Sequence, residues 1–404
     1  MRSSPVPPSS SAAPRGFATD FSASAAVAGL VAMLTGFTSS VALIYQAGAA
    51  AHLSDAQIAS WVAGLSLAIG LSSIVLSLRY RIPAVISWST PGAALLGASL
   101  PGVPFAEAIG AYLVCALLVL AVGLSGWADA LMRRIPAALT SALLAGILFH
   151  ISIGVFPLAS AAPGLVLAIL AAYLLARRWR PHFAVLLALL TGCAVAALAG
   201  EIDVSRLDHG LGLAAPVFTA PRFSLSAVVS IGLPLFIVAM TSQNMPGLAV
   251  LRADGYTVRS GPLLGATGIA SLLSAPFGAH GVTLAALTAA LCSGEDAHAD
   301  PRRRYVAAVV CGALYLLAAV FAATIAVLLA ALPPALVLAV AALALLGSMG
   351  QGLADAMRVP AEREAALLTF LVTASGLTLF SVGSAFWGVL VGLCAQAVLS
   401  WRRG

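Results

Sequence analysis

Charged residues are scarce in this sequence. Only 8% of its 404 residues are Asp, Glu, Lys or Arg, 61% are hydrophobic, and lysine is absent altogether. A soluble domain of this length needs a polar exterior that so few charges cannot supply. Runs of about 20 apolar residues recur along the chain, which predicts an all-α polytopic membrane protein in a lipid bilayer.

Cysteine and acidic residues are also few, and their placement excludes several classes of protein. The five cysteines lie singly in apolar segments without metal-site spacing, so we predict packing roles and no metal or other cofactor. The chain has no H-E-x-x-H motif, catalytic carboxylate pair or G-x-S-x-G elbow, which argues against an enzyme. No acidic residue falls at the centre of a predicted span, which leaves room for an anionic substrate.

About fourteen spans are predicted, and the arginines orient them. With the N-terminus in the cytosol, eighteen of the 20 arginines fall in cytosolic segments, and only Arg206 and Arg222 lie outside. The basic charge is therefore a topology signal rather than a nucleic-acid signal, and both termini are predicted to be cytoplasmic. The predicted spans are 23–48, 56–78, 82–99, 104–124, 135–154, 161–177, 182–200, 224–248, 261–275, 276–293, 304–331, 334–352, 361–379 and 381–401.

The spans divide into two halves. Residues 1–22, rich in Ser, Pro and Ala, are predicted to be a disordered cytosolic tail. Seven spans (23–200) precede an outer loop (201–223), and seven spans (224–404) follow it. Because each half has an odd number of spans, the second half enters the membrane from the opposite face, as in inverted repeats.

The third span of the first half is interrupted by Ser89-Thr90-Pro91. A hydroxyl N-cap followed by proline is typical of a helix start. The helix from Thr90 to about Ser99 would be roughly 14 Å long, against a hydrocarbon core of about 30 Å. We therefore predict a half-helix there, approached by an extended piece from the cytosol.

The third span of the second half is interrupted in a similar way. Pro276 and Gly278 disfavour helix, and we predict that a half-helix resumes near Gly281. Extended backbone at membrane depth is tolerated where protein buries it, so the two extended pieces could pair as short strands. The N-termini of the two half-helices would point at each other and suit a carboxylate.

Polar and aromatic residues near these breaks are the candidate binding residues. His280 is also the candidate proton carrier, because imidazole changes charge near physiological pH, with a buried structural histidine as the alternative. The span-8 amides could bind a polar substrate edge or join helices, and the aromatic residues could line a cleft or pack in the core. The candidates are Ser89, Thr90, Gly92, Gln243, Asn244, Gly278, His280, Thr283, Phe37, Trp88 and Phe277.

Three motifs resemble one known family. They are Ser87–Leu96; Leu233–Phe236 with Ser242–Gly247 and Leu251–Ala253; and Pro276–His280 through Ala297–Pro301. At these residues the chain resembles the benzoate:proton symporter family of bacterial inner membranes. The resemblance implies the 7+7 inverted-repeat fold shared with uracil and xanthine permeases and sulfate-type anion transporters. It implies a core domain (about 23–124 and 224–331) and a gate domain (about 135–200 and 334–401).

The resemblance also implies uptake of an aromatic monocarboxylate, benzoate first, with a proton by alternating access. Nucleobase permeases carry a substrate-binding glutamate in span 8, where this chain has Gln243, which favours an aromatic acid over a nucleobase. A nucleobase or inorganic-anion transporter of the same fold, and an anion channel, stay open as alternatives. Gly347 and Gly350 form a small-residue helix face that is compatible with a homodimer or with packing inside one chain.

Overall fold

The structure is a computed structural model that describes residues 16–126, 136–154, 156–157, 160, 162–205, 212–285, 287–380 and 382–401. Within these residues, seven helices are long and apolar enough to cross a membrane, which confirms a helical membrane protein. The count of fourteen spans stays a prediction. The elements are α1 (Phe17–Asp20), α2 (Ala23–Thr38), α3 (Val41–Ala50), α4 (Asp55–Tyr80), β1 (Ile86–Trp88), α5 (Thr90–Ser99), α6 (Phe105–Ser125), α7 (Ala137–Ser152), α8 (Pro163–Trp179), α9 (Ala184–Leu198), α10 (Leu225–Ala253), α11 (Ser260–Ser274), β2 (Val282–Leu284), α12 (Leu287–Ser293), α13 (Tyr305–Val320), α14 (Ala322–Ala330), α15 (Pro334–Ala356), α16 (Arg363–Ala374) and α17 (Ser384–Trp401).

The two extended pieces pair with each other, as the sequence predicts. Strands β1 and β2 are antiparallel, with Trp88 opposite Val282 and Ile86 opposite Leu284. All six strand residues are buried, so their backbone polar groups are satisfied by protein rather than lipid. Because the strands are antiparallel, α5 and α12 leave the pair at opposite ends.

A serine on the preceding helix fixes the start of each strand. Ser73 of α4 accepts a hydrogen bond from the backbone N–H of Ile86 at 2.9 Å. Ser271 of α11 accepts one from the N–H of Val282, also at 2.9 Å. The two halves of the chain therefore use the same contact to hold their extended pieces.

Helix α5 begins where the sequence predicts. The hydroxyl of Ser89 accepts a hydrogen bond from the N–H of Gly92 at 3.0 Å, and Pro91 occupies the first turn. The half-helix in the other half begins later than predicted, at Leu287 instead of near Gly281. Gly281 has a φ of +127°, which favours glycine and does not occur in a right-handed helix, so the chain is not yet helical there.

Two further helices differ from what their sequence suggests. Proline usually interrupts a helix, but Pro246 does not interrupt its span, because the preceding π-helical segment, Met240–Asn244, has wider turns and the chain stays helical through Met245. Conversely, the first span was predicted as one helix but breaks between α2 and α3 at Ser39 and Ser40.

The end of the predicted disordered tail is structured. Residues 1–15 lie outside the described residues, but α1 packs against the helices that follow. Asp20 is 5% exposed and accepts hydrogen bonds from Arg81 at 2.8 Å and from the Tyr305 hydroxyl at 2.9 Å. The prediction of disorder is therefore wrong for 17–21, since a buried carboxylate paired with arginine ties this segment to α4 and α13.

The helices pack in two sets. In the first set α13 packs along α4 and α2, α11 packs along α6, and the strand pair lies between them. In the second set α7 packs against α15 and α16, α16 against α17, and α8 against α9. Large apolar side chains are exposed on the outer surfaces of both sets, as expected for helices in lipid.

Candidate functional site

The N-terminus of α5 is the centre of the candidate site. The N–H of Gly92 is bonded to Ser89 and Pro91 has no N–H, whereas the N–H of Thr90 has no hydrogen-bond partner among the described residues and is available to a ligand. The Thr90 hydroxyl is in close contact with the hydroxyl of Ser40, at the break after α2. Gly92 leaves room for its neighbours, because a Cβ there would lie 2.9 Å from the Ser89 hydroxyl oxygen and 3.1 Å from Leu235 of α10.

His280 lies beside this N-terminus, as predicted, and is 2% exposed. The Trp61 indole N–H donates to His280 Nδ1 at 3.1 Å, and His280 Nε2 is 3.2 Å from the carbonyl oxygen of Ser89. An indole nitrogen is only a donor, so Nδ1 must be the acceptor and Nε2 must carry the proton. The contacts therefore select one neutral tautomer of His280.

Gly278 and Thr283 lie on either side of His280 in the chain. Gly278 has a φ of +98°, and a Cβ there would lie 3.0 Å from the Trp61 Cβ, so glycine allows the close approach to α4. Thr283 is 2% exposed, and its hydroxyl donates to the Ser87 carbonyl at 3.4 Å. Both residues support the strand pair and its approach to α4.

The two amides predicted in α10 differ in environment. Asn244 is fully buried, and its Oδ1 accepts a hydrogen bond from the N–H of Leu284 in β2 at 2.9 Å. The Gln243 amide is half-buried and has no hydrogen-bond partner among the described residues. Asn244 therefore joins α10 to a strand rather than to another helix, and the Gln243 amide has no such bond.

The predicted aromatic cleft is only partly assembled. Phe37 and Trp88 are together, with ring centroids 5.3 Å apart, and Tyr315 completes a buried cluster. Phe277 does not join them; it packs against Phe218 at 6.1 Å. Trp88 is fully buried, so its ring lines no open cleft in this state, and its indole N–H has no partner among the described residues.

The space next to the strand pair is too small for a ligand. The cavity bordered by Ser89, His280 and Thr283 has a volume of about 10 Å³, no more than one water molecule needs. A second cavity, beside Ala93 and His150, has a volume of about 180 Å³. Neither reaches the roughly 300 Å³ at which small-molecule sites begin.

A cavity of about 690 Å³, called the large cavity below, lies between the two helix sets. It is within the range of small-molecule sites, and hydroxyl side chains line much of its wall. Ser39 is part of this wall and is 3.4 Å from Ser40, the residue that contacts Thr90. A series of hydroxyls thus connects the cavity to the α5 N-terminus. The hydroxyl residues of the wall include Thr35, Thr38, Ser39, Thr140, Thr241 and Ser242.

The end of this cavity near α8 carries charge. Arg177 and His182 line it, and the Thr35 hydroxyl of α2 donates to the backbone carbonyl of His182 at 3.2 Å. Asp355 of α15 is the acidic residue of the wall, and its carboxylate accepts a hydrogen bond from Gln351 at 3.0 Å. Within the described part of the chain, no cluster of His, Cys, Asp or Glu could hold a metal ion.

The sequence reasoning missed several residues that the structure brings to the site. Trp61 and Ser271 lie in uninterrupted apolar helices, where nothing local distinguishes them. Ser40 lies at a helix break that the sequence does not predict. Arg177 was assigned to topology, although its side chain lines the large cavity.

The sequence is similar to known membrane proteins over nearly its whole length. The sequence model of the family described as BenE, benzoate membrane transport protein, matches residues 19–398. The "Inner membrane protein YdcO" of Escherichia coli (strain K12) is 41% identical over 374 residues, covering 93% of this chain and 95% of that protein. The "Benzoate membrane transport protein" of Acinetobacter baylyi (strain ATCC 33305 / BD413 / ADP1) is 37% identical over 380 residues, covering 94% of this chain and 96% of that protein.

The fold is similar to solved anion-transporter structures. The overall structure of SLC26A9 matches with a TM-score of 0.63 and 14% identity, over 93% of this chain and 65% of that chain. The transmembrane domain of a cyanobacterium bicarbonate transporter, BicA, matches with a TM-score of 0.56 and 16% identity, over 92% of this chain and 97% of that domain. At these identities the similarity shows a shared fold and nothing finer.

Proposed function

The chain belongs to the benzoate membrane transport protein family and is a membrane transporter, and on that premise we propose that it imports an aromatic monocarboxylate with a proton. Benzoate is the first choice, because the Acinetobacter baylyi relative is named for it. The location we propose is the bacterial inner membrane, with both termini in the cytoplasm, supported by the name of the Escherichia coli relative and by the arginine distribution.

We propose fourteen spans in two inverted repeats, of which the matching strand contacts are the main support. Ser73 and Ser271 lie on the helices that precede β1 and β2, and each binds the first N–H of its strand. Each strand is followed by a short helix, α5 or α12. Two halves with the same local arrangement and antiparallel strands are what an inverted repeat produces.

We propose that the first helix set moves as the core domain against the second set as the gate domain. The large cavity lies between the sets, with α2 and α10 on one side and α7, α8 and α15 on the other. The contact between Thr35 and His182 crosses this boundary. Movement at this boundary would open and close access to the α5 N-terminus, which is alternating access.

The substrate carboxylate would bind at the start of α5, on the side that faces the large cavity. The free N–H of Thr90, its hydroxyl and the positive end of the helix dipole favour an anion there. The half-buried amide of Gln243 is available for the carboxylate or for a ring substituent. The single observation that carries this proposal is the hydroxyl series from Ser39 through Ser40 to Thr90, because it connects a ligand-sized cavity to the helix N-terminus.

Energetics supports the proposal of proton coupling. An aromatic carboxylic acid is ionised at neutral pH, and an inside-negative potential opposes entry of its anion by roughly 2.3 kcal/mol per 100 mV. One proton per anion makes the step electroneutral. His280 stays our candidate for the proton, with the added condition that a proton on Nδ1 must displace the Trp61 N–H.

Proteoliposomes containing the purified protein test the proposal. With one proton per anion, a gradient of one pH unit should support about tenfold accumulation of labelled benzoate. A membrane potential without a pH gradient should support none, and empty liposomes control for diffusion of the neutral acid. Uptake that ignores the pH gradient, together with binding of uracil by the purified protein, would contradict the assignment.

An inorganic-anion transporter is the second candidate, because the solved structures of similar fold include an anion transporter and a bicarbonate transporter. Competition separates the two: excess bicarbonate or sulfate should leave benzoate uptake unchanged if the substrate is an aromatic acid. Sustained single-channel currents would instead indicate an anion channel.

A further inference from the structure

The gate side of the large cavity carries an arginine and a tyrosine that the proposed binding site does not use. Tyr173 and Arg177 are four residues apart on α8, so their side chains lie on one face of the helix, and both line the cavity. Neither the Tyr173 hydroxyl nor the Arg177 guanidinium has a hydrogen-bond or ion-pair partner among the described residues. A charged group and a polar group therefore face the cavity without partners.

The space around Arg177 is open on the opposite wall. Gly347 of α15 faces the guanidinium, and a Cβ at Gly347 would lie 3.7 Å from Arg177 Nη2 and within 4 Å of no other described atom beyond its own stretch of helix. Asp355 is eight residues further along α15, roughly 12 Å away, and bonds to Gln351. The acidic residue of the wall therefore does not neutralise Arg177.

The chemistry of this pair matches the proposed substrate. A guanidinium binds a carboxylate with two parallel N–H donors, and Tyr173, one helical turn away, is 6% exposed and lines the same cavity. We propose that Tyr173 and Arg177 form a release site, a second binding position for the aromatic carboxylate at the cytosolic mouth of the cavity. This inference rests on the proposed function, because it takes its ligand class from there.

The release site also has a defined place on the path. Arg177 lies in the last turn of α8, which is followed by a segment predicted to be cytosolic, whereas Thr90 lies at the other end of the hydroxyl series. An anion that moves from the α5 N-terminus to Arg177 would cross a cavity whose wall also includes Thr241 and Ser242. Binding there would divide release to the cytosol into two steps, from Thr90 to Arg177 and from Arg177 to the cytosol.

Membrane vesicles of the two orientations test this. We expect R177Q to raise the KM for labelled benzoate about tenfold in inside-out vesicles, where transport begins at the cytosolic face, equivalent to about 1.4 kcal/mol. In right-side-out vesicles the KM should stay within about twofold. Detailed balance fixes the ratio of Vmax/KM in one direction to Vmax/KM in the other. If KM rises tenfold only in inside-out vesicles, the Vmax of inside-out vesicles relative to that of right-side-out vesicles should rise by the same factor.

The neighbouring Arg178 provides the matched control, because it has the same charge and is exposed on the same turn but does not line the cavity. R178Q should leave both KM values unchanged. R177K should restore part of the cytosolic-side affinity. Gly347→Val places methyl groups beside the guanidinium without removing its charge, and it should also raise the KM in inside-out vesicles. This variant tests the release site if R177Q fails to reach the membrane.

Three results would overturn the release site: equal KM values for R177Q and R178Q, equal KM increases in both vesicle types, or an increase confined to right-side-out vesicles. These results are distinct from failure of the proposed function. In that case the wild-type protein itself would move no benzoate in either vesicle type.

Discussion

His280 can be tested by two substitutions that separate its hydrogen bonds from its ability to take a proton. Glutamine retains the contacts in principle, since its Oε1 can accept from Trp61 and its Nε2 can donate to the Ser89 carbonyl, but it does not titrate. Alanine removes both contacts and leaves one buried donor and one buried acceptor unpaired. The pair of variants therefore distinguishes a positioning role from a proton-carrying role.

The magnitude follows from the two lost contacts. Each buried polar group left without a partner costs about 1–3 kcal/mol, so His280→Ala should lower the free energy of unfolding by about 2–6 kcal/mol. His280→Gln should lower it by less than about 1.5 kcal/mol, because both hydrogen bonds can be kept. Denaturation of the purified protein in detergent measures this difference, with the two variants compared at one protein and detergent concentration.

Transport gives the decisive result. We expect His280→Gln to bind benzoate and exchange it across proteoliposomes, but to lose accumulation driven by a pH gradient. Full accumulation by His280→Gln would remove His280 from proton transfer and leave it as a residue that positions Ser89. Loss of binding as well as accumulation would show that the imidazole itself, and not only its hydrogen bonds, maintains the α5 N-terminus.

Three further predictions concern the residues that hold the strand pair. Asn244→Ala should destabilise the protein by about 1–3 kcal/mol, because it leaves the N–H of Leu284 without its acceptor. Asn244→Asp retains an acceptor and should recover part of the loss. Chemical denaturation measures the stability of both variants. Ser271→Ala should cost about 1–3 kcal/mol for the same reason at Val282, and an unchanged unfolding midpoint would contradict the role of that hydroxyl. Gly278→Ala should lower both benzoate exchange and stability, since a Cβ at a φ of +98° costs roughly 1–2 kcal/mol and crowds Trp61. A normal exchange rate would show that α4 can shift away.

The sequence predicts elements well where the signal is local. The start of α5 is an example: Ser89 supplies the cap and Pro91 supplies the fixed φ, and both act within one helical turn. The start of α12 could not be predicted in the same way. Gly281 stays outside the helix because β2, which begins at the next residue, pairs with β1 and because Val282 bonds to Ser271, and these partners are not adjacent in sequence.

Long-range partners also explain what was missed at the candidate site. Trp61 contacts His280 across 219 residues, and nothing near Trp61 in sequence marks it as different from other residues of an apolar helix. The sequence marks Asn244 as an amide in an apolar helix, but its actual partner, the N–H of Leu284 in β2, is 40 residues away in sequence. Arg177 had a sufficient explanation in the positive-inside rule, so its second property, facing a cavity, was hidden.

Ser89 is the residue through which a proton at His280 could affect a substrate at Thr90. Its carbonyl oxygen faces His280 Nε2 at 3.2 Å, and its hydroxyl caps the N–H of Gly92 at 3.0 Å, so one residue contacts both the imidazole and the helix N-terminus. The cavity beside His280 holds at most a water molecule, whereas the cavity on the Ser39 side is large enough for a ligand. Proton and carboxylate therefore need not share one space. A proton on His280 would displace the Trp61 N–H, free the imidazole to move, and thereby shift Ser89 and the first turn of α5 at which the carboxylate binds.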